Sequence, residues 1–225
     1  MQKTVLGILG CLFVVPLVWA QPQNVHPITG RQYAGAMGIE GAPWLVRSER
    51  EQEEEPDRAL DELKIVKGST VADIGAGVGY MSWRLAERVG PTGKVYANDI
   101  QPQMLDQLRK NVERRHLTNV ETILGEPDDP KLPQGRFDLV LMVDVYHEFT
   151  RPQSMLRHIR ESLKADGRVV LIEYRAEDPN VPIVPLHKMT VEQVKAELEP
   201  EGLHLDRVIE SLPRQHILIF TRKPS

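Results

Sequence analysis

Cysteine is almost absent from this 225-residue chain; Cys11 is the single one. Neither a disulfide framework nor a thiolate metal cluster can be built from it. It lies inside an apolar stretch near the N-terminus, so a chain cut after that stretch has none. Histidine pairs of the His-x-x-x-His kind are missing too, and His147 and His187 stand far apart, so spacing along the chain predicts no dedicated metal site. Positive charge is not in excess: 28 Lys and Arg face 32 Asp and Glu, for a formal net charge of −4 and a pI of about 6.0. That balance speaks against a nucleic acid as partner, which would call for a basic face. There is no internal repeat, and no stable membrane contact is expected beyond the N-terminal segment.

What is present suits one globular domain, with 41% hydrophobic and 27% charged residues. The first twenty residues stand apart. Lys3 is followed by the uncharged apolar stretch Thr4–Ala20, and Val18-Trp19-Ala20 before Gln21 has the look of a small-residue cleavage site. Residues 1–20 therefore read as a secretory signal peptide, which implies a periplasmic or secreted protein. The alternative is an uncleaved anchor with the domain facing the cytoplasm. Residues 21–47, rich in Pro, Gly and small side chains, read as an irregular lead-in in which Trp44-Leu45 docks on the domain. Residues 48–225 would form the domain proper. Ser48 and Glu51 have capping-box spacing for a charged helix over 48–64, which Pro56 interrupts or restarts.

From there β and α patterns alternate. Strands are predicted at 69–74, 94–99, 119–124, 137–143 and 168–174. Helices fall between them at 79–89, 102–115 and 152–164, the last stopped by Ala165-Asp166-Gly167. A helix over 190–200 and a hairpin of 205–210 with 216–221 close the chain. The run Phe137–Val143 is nearly all apolar, as befits a strand buried on both faces. This is an α/β pattern, with a ligand crevice expected at the carboxyl ends of the strands.

The first strand leads into Asp73-Ile74-Gly75-Ala76-Gly77-Val78-Gly79-Tyr80, and a second β-like run ends in Asp99. A sharp strand-to-helix turn and a ligand touching backbone both favour glycine. A carboxylate at Asp99 is placed to accept hydrogen bonds from a ribose diol. The dinucleotide fingerprint G-x-G-x-x-G needs a glycine where Tyr80 stands, which weakens a nicotinamide-dependent oxidoreductase. Asp73 would repel a pyrophosphate and attract a cationic amino group.

These residues resemble motif I of the class I S-adenosylmethionine-dependent methyltransferases, and the resemblance covers about residues 55–223. It implies a Rossmann-like seven-stranded sheet of order 3-2-1-4-5-7-6, strand 7 antiparallel, with helices on both faces. The implied cofactor is S-adenosyl-L-methionine. Asp73 would face its methionine end, Gly75, Gly77 and Gly79 would form the loop, Asp99 would hold the ribose and Ile100 would pack near adenine. Glu126 stands where the family often has an Asp that meets the adenine amino group, with Asp128 as a substitute, and Asp144 falls near the methionine portion. The loop Asp144-Val145-Tyr146-His147-Glu148 would line the acceptor pocket. His147 is the candidate base, because imidazole titrates near neutrality, or else a pocket-lining ring. Tyr146, Glu173, Arg175 and His187 are candidate substrate contacts, the last three alternatively loop ion pairs. The lead-in places Trp44 and Arg47 near the pocket. A small-molecule acceptor is expected, since no added recognition domain or basic face is present. A non-catalytic module that binds the same cofactor is the alternative from another class.

Overall fold

A computed structural model describes residues 24–222; the signal-like stretch lies outside the described residues. The strands are β1 (Thr70–Ile74), β2 (Lys94–Asp99), β3 (Val120–Leu124), β4 (Phe137–Val143), β5 (Leu163–Arg175), β6 (Lys188–Met189), β7 (Leu203–Ile209) and β8 (Gln215–Arg222). They form one sheet in the order β3-β2-β1-β4-β5-β8-β7, with the two-residue β6 paired to the end of β5. β8 runs antiparallel to both β5 and β7, and the pairs from β3 to β5 are parallel. The expected seven-strand order is therefore observed, with β6 as an unforeseen addition.

Period-two alternation decides which side chains meet which helices. On the central strands Val140, Met142, Val169, Leu171, Leu218 and Phe220 face one way, toward α6 (Pro152–Ser162) and α7 (Val191–Leu198). Leu139, Leu141, Val170, Ile172, Ile217 and Ile219 face the other way. There they meet α3 (Pro56–Glu62) and α4 (Ser82–Val89). Both faces are buried under apolar side chains, which explains the unbroken apolar run of β4. A third cluster joins Ala97 to Leu105, Leu108 and Val112 of α5 (Pro102–Arg114).

Four local expectations change. The predicted helix over 48–64 is two pieces, α2 (Arg50–Glu54) and α3, because Glu55 takes φ 47° just before Pro56. Its capping box does not form; the Ser48 hydroxyl instead meets the Glu49 carboxylate. The capping box that does form is at Thr190, which bonds Gln193 in both directions to start α7. Ala165-Asp166-Gly167 does not follow a long helix: α6 ends at Ser162 and these residues lie within β5. There the register against β4 shifts between Phe137 and Leu139. The lead-in is also more ordered than expected, with a 3-10 turn at Ile39–Gly41 and a short helix α1 (Ala42–Leu45).

Candidate functional site

A cavity of about 760 Å³ opens at the carboxyl ends of β1, β2 and β4. It lies where parallel α/β sheets place their ligands. One wall is built by the β1 turn. Gly75 has φ +69°, and a Cβ there would lie 2.3 Å from Val145, so both the turn and the approach of the β4 loop require glycine. The Gly77 N–H donates to Asp99 Oδ2 at 2.9 Å, and the Gln101 N–H donates to Asp99 Oδ1 at 2.9 Å. These bonds fix the Asp99 carboxylate at the cavity wall and leave further lone pairs on both oxygens. Asp73 is buried and accepts a 2.5 Å hydrogen bond from the Ser82 hydroxyl. Burial pushes its carboxyl up to about 7, against the pull of Ser82 and with a further push from Asp99.

Asp144 ends β4 with φ 49° and its Oδ2 accepts from Gln215 at 2.7 Å. Its Oδ1 is buried and has no partner among the described residues. Ile100 is exposed by 42% and lines the same cavity, a free apolar surface beside Asp99. Two residues expected at the cofactor do not line the cavity. Gly79 does not line the cavity; with φ +88° and a would-be Cβ 2.8 Å from Leu108, it serves the packing of the turn on α5. Glu126 is turned outward into an ion pair with Lys131 at 3.2 Å, and Asp128 meets Arg151 at 3.3 Å. Neither faces the cavity, whose contact from this loop is Pro127.

The facing wall comes from the loop after β4. Tyr146–Glu148 make a 3-10 turn that presents His147 and Glu148 to the cavity. His147 Nδ1 lies 2.7 Å from Glu173 Oε2, and Glu173 Oε1 accepts the Tyr146 N–H at 3.0 Å. His147 Nε2 lies 3.0 Å from Nδ1 of His187, which lines the cavity from a second 3-10 turn, Pro185–His187. Burial disfavours a charged His147, but the Glu173 carboxylate outweighs it and raises its pKa. His187 is lowered by burial and by the neighbouring His147. Burial pushes Glu148 up to about 7, with His147 opposing.

Other candidates on this side change role. Tyr146 is fully buried against Phe149 and is a core residue rather than a substrate contact. Glu173 is fully buried and reaches the cavity only through His147. Arg175 points away: it pairs with Glu210 and donates to the Leu212 and Pro213 carbonyls, tying down the hairpin turn. Alternation along β5 sends Glu173 and Arg175 to the same face, but Arg175 is the last residue of the strand, where its side chain meets the Glu210–Pro213 turn. Distance along the chain also hides that the fold brings one ligand atom each of His147, Glu148 and His187 within 4.8 Å of one another.

The segment ahead of the domain holds residues that sequence reasoning missed. Arg31 is clamped by Glu197, Nε to Oε1 at 3.0 Å and Nη2 to Oε2 at 2.9 Å. Its Nη1 donates to the His147 carbonyl at 2.9 Å, and the Ala34 N–H donates to the same carbonyl at 3.1 Å. Residues 33–37 thereby form part of the cavity wall. Trp44 lines the cavity as expected, while Arg47 stacks on Trp44 at 3.8 Å and pairs with Glu53 and Glu54 instead of lining it. Arg50 was not anticipated. It is buried, lies 4.2 Å from the Tyr80 ring, and bonds Glu54 at the cavity wall.

Known proteins carry the same frame. A family described as a methyltransferase domain matches residues 65–212. A solved S-adenosylmethionine-dependent methyltransferase from Aquifex aeolicus superposes with a TM-score of 0.78 at 26% identity, over 82% of this chain and 98% of that one. A protein-L-isoaspartate O-methyltransferase from Methanothrix thermoacetophila is 31% identical over 111 residues, 49% of this chain and 50% of the relative. A demethylmenaquinone methyltransferase from Geobacillus is 29% identical over 114 residues, 51% of this chain and 49% of the relative. The chain thus spans about half the length of the curated relatives it matches. With the family matched over most of the chain and the sheet order observed, the protein belongs to the methyltransferase-domain family, among the class I S-adenosylmethionine-dependent methyltransferases.

Proposed function

We propose that this protein transfers a methyl group from S-adenosylmethionine to a small-molecule acceptor held in the same cavity. One observation carries the reading: Asp73, Gly75, Gly77 and Asp99 share a single cavity with His147 and His187. The residues fit the cofactor. Asp99 has lone pairs for a ribose diol, Ile100 offers an apolar face for adenine, and Asp73 with the unpartnered Asp144 Oδ1 suits an ammonium group. When bound, the cofactor supplies a methyl group already activated on a sulfonium. The protein aligns the acceptor, excludes water and removes a proton where the acceptor carries one.

The Glu173–His147–His187 chain suits that last task. Glu173 accepts from His147 Nδ1–H, which leaves the Nε2 lone pair for the His187 Nδ1–H; these proton positions are assigned from the hydrogen-bond network. The acceptor's proton is taken by His187 at its other nitrogen, and the positive charge settles on His147 beside Glu173. His147 thus remains part of the base, but as its buried member.

Calorimetry with S-adenosylmethionine, S-adenosylhomocysteine and NAD tests the cofactor. Binding of the two sulfur compounds and not of NAD is expected, and failure of both to bind overturns the proposal. Transfer of labelled methyl to hydroxyl, amine and thiol compounds then tests turnover. Cofactor binding with no transfer to any of them points to the non-catalytic module. The segment Thr4–Ala20 supports export or anchoring, and the mature N-terminus by mass spectrometry distinguishes the two. No helix among the described residues is long and apolar enough to cross a membrane. The packing of residues 24–47 on the cavity supports counting them with the catalytic unit.

A further inference from the structure

We propose that His147, His187 and Glu148 form a transition-metal site open toward the acceptor. The two imidazole nitrogens that face each other, His147 Nε2 and His187 Nδ1, are 3.0 Å apart. Nitrogen ligands held about 2.0–2.1 Å from a tetrahedral ion lie roughly 3.4 Å from each other, so a small ring movement admits an ion between them. A Glu148 carboxylate oxygen lies within 4.8 Å of a ring nitrogen of each histidine, on a half-buried side chain at the cavity wall. A rotation of that side chain completes three protein ligands.

Two further features suit an ion. The other nitrogen of His147 is held by the buried Glu173 carboxylate at 2.7 Å. Such an outer carboxylate fixes the ring's tautomer and orientation and strengthens it as a ligand. Three protein ligands also leave at least one position free on the cavity side, the pattern of a reactive rather than a structural site. Two imidazoles and one carboxylate select Zn²⁺, Fe²⁺, Co²⁺ or Ni²⁺ over Mg²⁺ and Ca²⁺, which prefer all-oxygen shells.

The ion would displace the proton shared by the two rings, so ion and proton compete for the same lone pairs. With the ion in place, an acceptor hydroxyl or thiol bound at the free position loses its proton to solvent and keeps its lone pair on the coordinated atom. The ion then performs the proton-releasing task that the histidine pair performs without it. This last step rests on the methyltransferase reading; ion binding itself does not.

The full chain, stripped with a chelator, is titrated with Co²⁺ and with Zn²⁺. One equivalent of Co²⁺ is expected to bind with visible absorption bands of a low-coordinate ion. His187→Ala, at a half-buried position, should abolish those bands and weaken Zn²⁺ at least 100-fold. Glu173→Gln should weaken Zn²⁺ about 10- to 100-fold, as loss of an outer partner does. Absence of stoichiometric binding overturns the proposal. So does binding that survives His187→Ala unchanged, which would place the ion on other histidines. S-adenosylmethionine affinity measured on the same samples separates the two readings: ion binding without cofactor binding sinks the methyltransferase reading alone, and the converse sinks the metal site alone.

Discussion

The two walls of the cavity are made by different means. The wall with Asp73, Gly75, Gly77 and Asp99 comes from one contiguous piece of chain, about thirty residues long, and its shape is set by backbone. Turn geometry and N–H groups fix it, so few side chains there are free to vary. The opposite wall is assembled from side chains on the β4 loop, the end of β5, the Pro185–His187 turn and the segment from Arg31 to Met37. Its partners are separated by 26, 40, 116 and 166 residues. A backbone-built wall suits a ligand common to a whole family. A wall of distant side chains suits a ligand that differs from member to member.

The sharpest way to break this division is His147→Ala. Turnover should fall by about 10²- to 10⁴-fold, the range for loss of general acid–base catalysis, with cofactor affinity unchanged. Steady-state kinetics beside calorimetry reads both, and a matching loss of cofactor affinity would mean that the walls are not independent. Asp99→Ala should do the reverse. It should weaken cofactor binding by about 1.5–3 kcal/mol while turnover at saturating cofactor holds. Gly75→Ala probes the contact between the walls. Positive φ and the clash with Val145 should cost about 1–3 kcal/mol in denaturant unfolding. Val145→Ala in the same chain should restore part of that loss, and no recovery would mean that backbone strain alone is responsible.

The last expectation concerns pH. Asp73 is protonated below about 7 in the cofactor-free protein. A bound ammonium favours its ionised form, so binding expels a proton below that pH. Affinity should therefore rise by up to tenfold per pH unit as neutrality is approached, and level off above it. In the cofactor-free protein the sign is opposite for stability. Between about pH 4 and 7 folded Asp73 holds its proton more tightly than the unfolded chain, so its contribution falls as pH rises. Affinity that stays flat between pH 5 and 7 would remove Asp73 from the cofactor's charged end.

The sequence made the backbone-built wall readable because its signals are local: alternating strands, glycines, and an acid at each strand end. The sheet order followed from the family that those residues resemble, since alternation alone fixes only an α/β class. Side-chain direction at strand ends was harder. Glu173 and Arg175 look equivalent in a string, yet one is buried under His147 and the other clamps the hairpin. Glu126 occupies a family position, but the Glu126–Asp129 bridge turns its side chain to solvent and Lys131. The metal-type cluster was invisible because chain spacing says nothing about a 40-residue closure. The role of Arg31 had no local signal, since an arginine in a Pro- and Gly-rich stretch reads as solvent-facing.

The clamp of Arg31 on Glu197 and on the His147 carbonyl has a consequence for where the protein can work. Asn24 is only four residues from Ala20, and four residues extend no further than about 14 Å. Should the apolar stretch stay embedded in a bilayer, the acceptor wall would be leashed within a few nanometres of the lipid headgroups, and acceptors would have to be met there. Should the stretch be cut away, the clamp would instead become the anchorage of a new chain end, and the first residues made would be among the last to complete the site.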